Sequence, residues 1–152
     1  MPSPILILNG PNLNLLGERE PEIYGTETLA DIEAAAKAAA GELDLNVEFR
    51  QTNAEAELVT WIQEARGKYT GIILNAGAFT HTSVAIYDAL LLCDQPVIEV
   101  HLSNIFRREP FRQHSYVAPA AQGLICGFGG HGYVLALQAM AGVLDQNAKP
   151  KK

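Results

Sequence analysis

Cysteine is scarce: Cys93 and Cys126 are the only two in 152 residues. Both stand in apolar stretches, where a free thiol behaves as a small hydrophobe, so neither a disulfide framework nor a cysteine metal site is expected. That usage suits a reducing cytoplasm. Basic residues are also few, eleven against seventeen acids, giving a formal net charge of −6. So sparse and scattered a set leaves no footprint for nucleic acid. No apolar run is long enough to cross a bilayer, and no membrane association is expected. The opening Met-Pro-Ser-Pro lacks the basic region and small-residue cleavage site of a signal peptide. The five lysines are Lys37, Lys68, Lys149, Lys151 and Lys152. None falls at the end of an expected strand, where an imine-forming amine would be desolvated. Neither a G-x-S-x-G elbow nor a G-x-x-x-x-G-K-[ST] phosphate loop occurs, which excludes the usual serine-nucleophile and phosphoryl-transfer designs.

What is present is a globular composition, 48% hydrophobic and 18% charged, of single-domain length. Short β-rich runs bounded by Gly, Pro or Asn predict strands at 5–9, 47–51, 71–75, 97–101 and 123–127. Unbroken apolar runs such as Ile5-Leu6-Ile7-Leu8 suit strands covered on both faces. Helical periodicity lies between them. Thr28 with Asp31 opens an alanine-rich helix ending near Gly41, and Thr52 with Glu55 opens a second. Two more are expected over about 82–92 and 132–144. This alternation predicts an α/β fold, a flavodoxin-like five-stranded parallel sheet of order 2-1-3-4-5 with helices on both faces. One catalytic domain over 1–145 and a frayed polar tail over 146–152 complete the expected organisation.

Ligands of such sheets bind beyond the carboxyl ends of the strands. There the sequence places Asn9 and Asn12, Gln51 to Asn53, Asn75 with His81, and Glu99, His101, Ser103 and Asn104. Glu99 and His101 are two apart, so they share a face of one strand. A buried glutamate is expensive unless paired, and His101 is the obvious partner. The pair reads either as a structural contact or as an imidazole oriented for general-acid work. No second His or Cys stands at metal-ligand spacing, so no metal is expected. Four arginines, Arg19, Arg107, Arg108 and Arg112, suggest a small anionic ligand within an acidic protein. The loop over 10–25 is long, without an expected element of its own, and carries Arg19 and Tyr24. Loops of about this length are often lids. A phenol with a pKa of about 10 is only about 0.1% ionised at pH 7, and a guanidinium that lowered it by about two units would raise that to about 10%. Tyr24 reads either as a packing residue or as a base activated by Arg19 or Arg112. Residues 127–132 fit G-x-G-x-x-G, but only one helix follows, leaving no second half for a dinucleotide. These glycines are expected to permit close packing. A flavin-carrying module on the same fold is the rival reading, and it predicts a yellow preparation.

The sequence resembles the type II 3-dehydroquinate dehydratases. The resemblance rests on 9–17 (NGPNLNLLG), Arg19 with 22–25 (EIYG), 51–55, 75–83 (NAGAFTHTS), 88–90, 99–105 (EVHLSNI), Arg112 with 114–116 (HSY), and 127–137. It implies dehydration of 3-dehydroquinate to 3-dehydroshikimate by anti elimination, without metal or cofactor. By matching motif, Tyr24 is the base, held by Arg19. Asn12 stabilises the enolate, and His101, oriented by Glu99, protonates the departing hydroxyl. Asn75, His81, Leu102, Ser103 and Arg112 hold the substrate. Asp88 reaches a neighbouring subunit's site, and the resemblance implies a homododecamer built of trimers. Ala56, Phe106, Arg107 and Pro110 depart from the family pattern and leave their loops unspecified.

Overall fold

The structure is a computed structural model and describes residues 4–148; the side chain of Tyr24 lies outside that description. Five parallel strands form one sheet in the order β2-β1-β3-β4-β5. They are β1 (Ile5–Asn9), β2 (Val47–Gln51), β3 (Gly71–Asn75), β4 (Val97–His101) and β5 (Gly123–Cys126). The helices are α1 (Pro21–Tyr24), α2 (Leu29–Glu42), α3 (Glu55–Ala65), α4 (Val84–Leu91) and α5 (His131–Ala148). The expected fold class and strand order are therefore borne out. No helix among the described residues is long and apolar enough to cross a membrane.

Side-chain alternation in the strands sorts the core into two halves. Ile5, Ile7 and Ile73 face one way, against Ile32 and Ala36 of α2 and Ala136, Leu137 and Met140 of α5. Leu6, Leu8, Ile72 and Leu74 face the other, against Leu58 and Ile62 of α3 and Ile86 and Leu90 of α4. The residues of β1, β3 and β4 are all buried, as their apolar runs demand. Each fully buried Ile or Leu contributes about 1.5–3 kcal/mol. Winding reverses between β1 and β3, and a crevice opens at their carboxyl ends.

Three local expectations need correction. The loop over 10–25 is not featureless: it holds a 3-10 turn at Leu13–Leu15 and α1, which Pro21 starts at a position where its missing N–H costs nothing. Thr28 and Asp31 do form a capping box on α2. Thr52, by contrast, caps no helix, because its Oγ1 accepts from the Ala54 N–H and α3 begins only at Glu55. The tail expected from 146 is helical through Ala148, since α5 runs on to that residue; 149–152 lie outside the described residues. Pro110 opens a 3-10 turn at Pro110–Arg112, and Phe106 lies in another at Ile105–Arg107, where its own N–H donates to Asn104 Oδ1 at 3.1 Å.

Close approach sets the crevice floor. Gly10 donates its N–H to the Asn75 carbonyl at 2.8 Å, and a Cβ on Gly10 would run into the Ala76 carbonyl group. Gly10→Ala is therefore expected to destabilise the protein by about 1–3 kcal/mol through forced backbone displacement. Chemical denaturation measures this, and an unchanged midpoint would show that the two turns are free to separate.

Candidate active site

A cleft opens at the carboxyl edge. The turn after β1 supplies Asn12, and β3 with its following turn supplies Asn75, Gly77 and His81. His101, Leu102 and Ser103 come from the end of β4, Arg19 from the first loop, and Arg108 and Arg112 from the 3-10 turns that follow. Eight of the eleven predicted side chains thus line one cleft. Glu99 sits behind His101, fully buried. Asp88 stands exposed on α4, outside the cleft lining. Tyr24 belongs to α1, and its neighbours Ile23 and Gly25 line an adjoining groove together with Leu102, Ser103 and Arg108.

The pair on β4 is closed. His101 Nε2 lies 2.5 Å from Glu99 Oε2, which also accepts from Ser115 Oγ at 2.8 Å. A carboxylate can only accept, so Nε2 carries a proton. Nδ1 has no partner among the described residues, which leaves it for the cleft. Ser115 Oγ in turn accepts the Val117 and Ala118 N–H groups, so a loop remote from β4 fixes the carboxylate. His81 stacks near His101, with ring centroids 6.4 Å apart. Its Nδ1 lies 2.8 Å from the His114 carbonyl, an acceptor only, so the neutral ring keeps its hydrogen there and offers Nε2 as an acceptor. Burial holds the His81 imidazole below its usual pKa, and the fields of His101 and Arg112 act in the same sense.

Asn12 adopts a left-handed backbone, with φ of 68°. Such strain persists only where neighbours enforce it. Here the Asn12 N–H donates to Asn53 Oδ1 at 3.0 Å. Gln51 Nε2 donates to the same oxygen and to the Gly10 carbonyl, at 3.1 Å each. The end of β2 thus clamps the turn after β1. Arg112 is braced by Glu109 at 3.0 Å and Arg108 approaches Ser103 Oγ at 3.5 Å. Three guanidinium groups consequently face a cleft in a chain of net charge −6. Such focused positive charge suits a small anion.

Among the described residues no group of three His, Cys, Asp or Glu is placed to hold a metal ion. Within 127–132, a Cβ on Gly130 would meet Glu27 and Ile32, which accords with close packing against α2. Sequence reasoning missed Ser115, the clamping role of Gln51 and Asn53, and Tyr133, whose phenol lies beneath Asn75. Ser115 lies inside the HSY motif and Gln51 and Asn53 at a strand end, but nothing in the sequence marks Tyr133 as other than core.

A doubly wound sheet carries a buried carboxylate–imidazole pair under a cationic cleft, the framework of an α/β enzyme. Residues 3–141 match the family described as Dehydroquinase class II. The chain is 54% identical to a 3-dehydroquinate dehydratase of Brucella abortus (strain S19), over 98% of this chain and 95% of that one. It is 55% identical to a 3-dehydroquinate dehydratase of Rhizobium johnstonii, over 94% and 99% of the respective chains. The crystal structure of the type II dehydroquinase from Propionibacterium acnes superposes with a TM-score of 0.89 at 47% identity, covering 93% of this chain and 98% of that one. The chain belongs to the Dehydroquinase class II family and is a hydro-lyase.

Proposed function

We propose that the protein dehydrates 3-dehydroquinate to 3-dehydroshikimate and water by anti elimination through an enolate. The Tyr24 phenolate, stabilised by Arg19, removes the proton alpha to the ketone. Asn12 helps to hold the enolate oxygen. His101, oriented by Glu99 and carrying protons on both ring nitrogens as the imidazolium, gives its Nδ1 proton to the departing hydroxyl and keeps the Nε2 proton toward Glu99, so one C–H and one C–O bond break, a C=C bond forms and water leaves. Arg112 faces the substrate carboxylate, while Asn75, His81, Leu102 and Ser103 hold the ring. The observation that carries the reading is the closed Glu99–His101 pair at the floor of an arginine-lined cleft. The groove shared by the flanks of Tyr24 and by Leu102 and Ser103 supports a base and an acid on opposite sides of one ring. Asp88, exposed on α4, serves the site of a neighbouring subunit and pairs there with Arg108, within a homododecamer of four trimers acting in the cytoplasm. The same reaction serves aromatic biosynthesis or quinate breakdown.

The reaction creates a conjugated enone. Purified protein given 3-dehydroquinate is expected to show rising ultraviolet absorbance, and to keep its rate in the presence of a metal chelator. A flat trace with freshly prepared protein would reject the reading, and a rate lost to chelator would reject the metal-free chemistry.

A further inference from the structure

The floor of the cleft is tied to the last helix by a buried polar chain. Tyr133 of α5, Asn9 at the end of β1 and Asn75 at the end of β3 are 0%, 0% and 2% exposed. Tyr133 Oη donates to Asn9 Oδ1 at 2.6 Å and accepts from Asn75 Nδ2 at 2.9 Å. Asn9 Nδ2 donates to the Arg50 carbonyl at 3.0 Å. Asn75 Oδ1 accepts the Gly77 N–H at 3.1 Å.

Each link dictates the polarity of the next. A carbonyl can only accept, so Asn9 must turn its NH₂ to Arg50 and its oxygen to Tyr133. The phenol then has only its lone pairs left for Asn75, which must offer it an N–H. Gly77 N–H, a donor only, demands oxygen at the other end of the same amide. Reversing any member would put donor against donor or acceptor against acceptor in a fully buried site, where each unsatisfied group costs about 1–3 kcal/mol. Asn75 is therefore locked in one of its two amide orientations, leaving its second Nδ2 hydrogen for the cleft it lines.

We infer that Tyr133 is a positioning residue that fixes Asn75 as a hydrogen-bond donor to an oxygen of the bound substrate. The inference rests on the dehydratase reading, in which Asn75 holds the substrate. A flipped Asn75 would present its carbonyl and repel the same oxygen. The effect is one of binding in ground and transition states alike, so it acts on KM rather than kcat.

The test compares Tyr133→Phe, which removes one oxygen and keeps the ring, with the parent enzyme in the enone assay. KM is expected to rise about ten-fold, a size suited to loss of one oriented hydrogen bond, with kcat within about three-fold. In an Asn75→Ala background, Tyr133→Phe is expected to change KM no further, because the coupling passes through Asn75. Should the phenylalanine variant melt below the assay temperature, Asn9→Ala takes its place: it frees the direction of the phenol and carries the same two expectations. An unchanged KM, or a loss that adds fully to that of Asn75→Ala, overturns the inference. An inactive parent enzyme overturns instead the dehydratase reading beneath it.

Discussion

His101→Ala is expected to lower kcat by about 10²–10⁴-fold, the range that one positioned proton donor supplies. The geometry makes the loss two-fold in kind. The imidazole is the group whose Nδ1 is left for the cleft once Nε2 is engaged by Glu99. Without it the departing hydroxyl must leave unprotonated or wait for water. The same substitution strips the fully buried Glu99 of one of its two donors, leaving Ser115 alone. A buried carboxylate deprived of a partner costs about 1–3 kcal/mol or more. Thermal melting alongside the absorbance assay should therefore show a lowered midpoint together with the lost rate. Near-full turnover would remove His101 from the proton transfer; lost turnover with an unchanged midpoint would show that Glu99 does not depend on it.

Tyr24→Phe should lower kcat by a comparable factor while leaving the midpoint unchanged. In the proposed elimination, proton removal alpha to the ketone comes first, and a phenyl ring has no group to accept that proton. The substitution falls on a four-residue helix whose neighbours Ile23 and Gly25 are exposed. Surface changes of that kind usually stay within about ±0.5 kcal/mol. Exchange of the alpha proton with deuterated solvent separates this variant from the other. His101→Ala retains the base, and its slow turnover is expected to leave exchange detectable; Tyr24→Phe is expected to lose exchange and turnover together. Exchange that persists in Tyr24→Phe would assign the base to another group.

The contrast between the two variants reflects what a sequence can and cannot disclose. Strand limits were legible because β1, β3 and β4 are covered on both faces, which forces apolar runs that end sharply in Asn or His. The carboxyl-edge rule then gathered the polar residues at those ends, and eight predicted side chains share one cleft. Helix α1 escaped notice because four residues carry no periodicity. Thr52 looked like a cap because cap and turn residues share chemistry; only the position of the first helical residue tells them apart. Ser115 and Tyr133 were invisible for another reason. Their partners lie 16 and 58 residues away, and no local spacing encodes such contacts. A tyrosine in an apolar helix looks the same whether its hydroxyl supports a binding residue or only fills space.

The bond between Tyr133 and Asn9 spans 124 positions of the chain. A nascent polypeptide that has already extruded its first four strands still lacks one of the two groups that orient the Asn75 amide. Contacts of such long sequence separation form late, because the entropy of closing the loop must be met before they return anything. The polar floor beneath Asn75 is thus completed only when α5 docks, late in folding and after the strands it covers are paired.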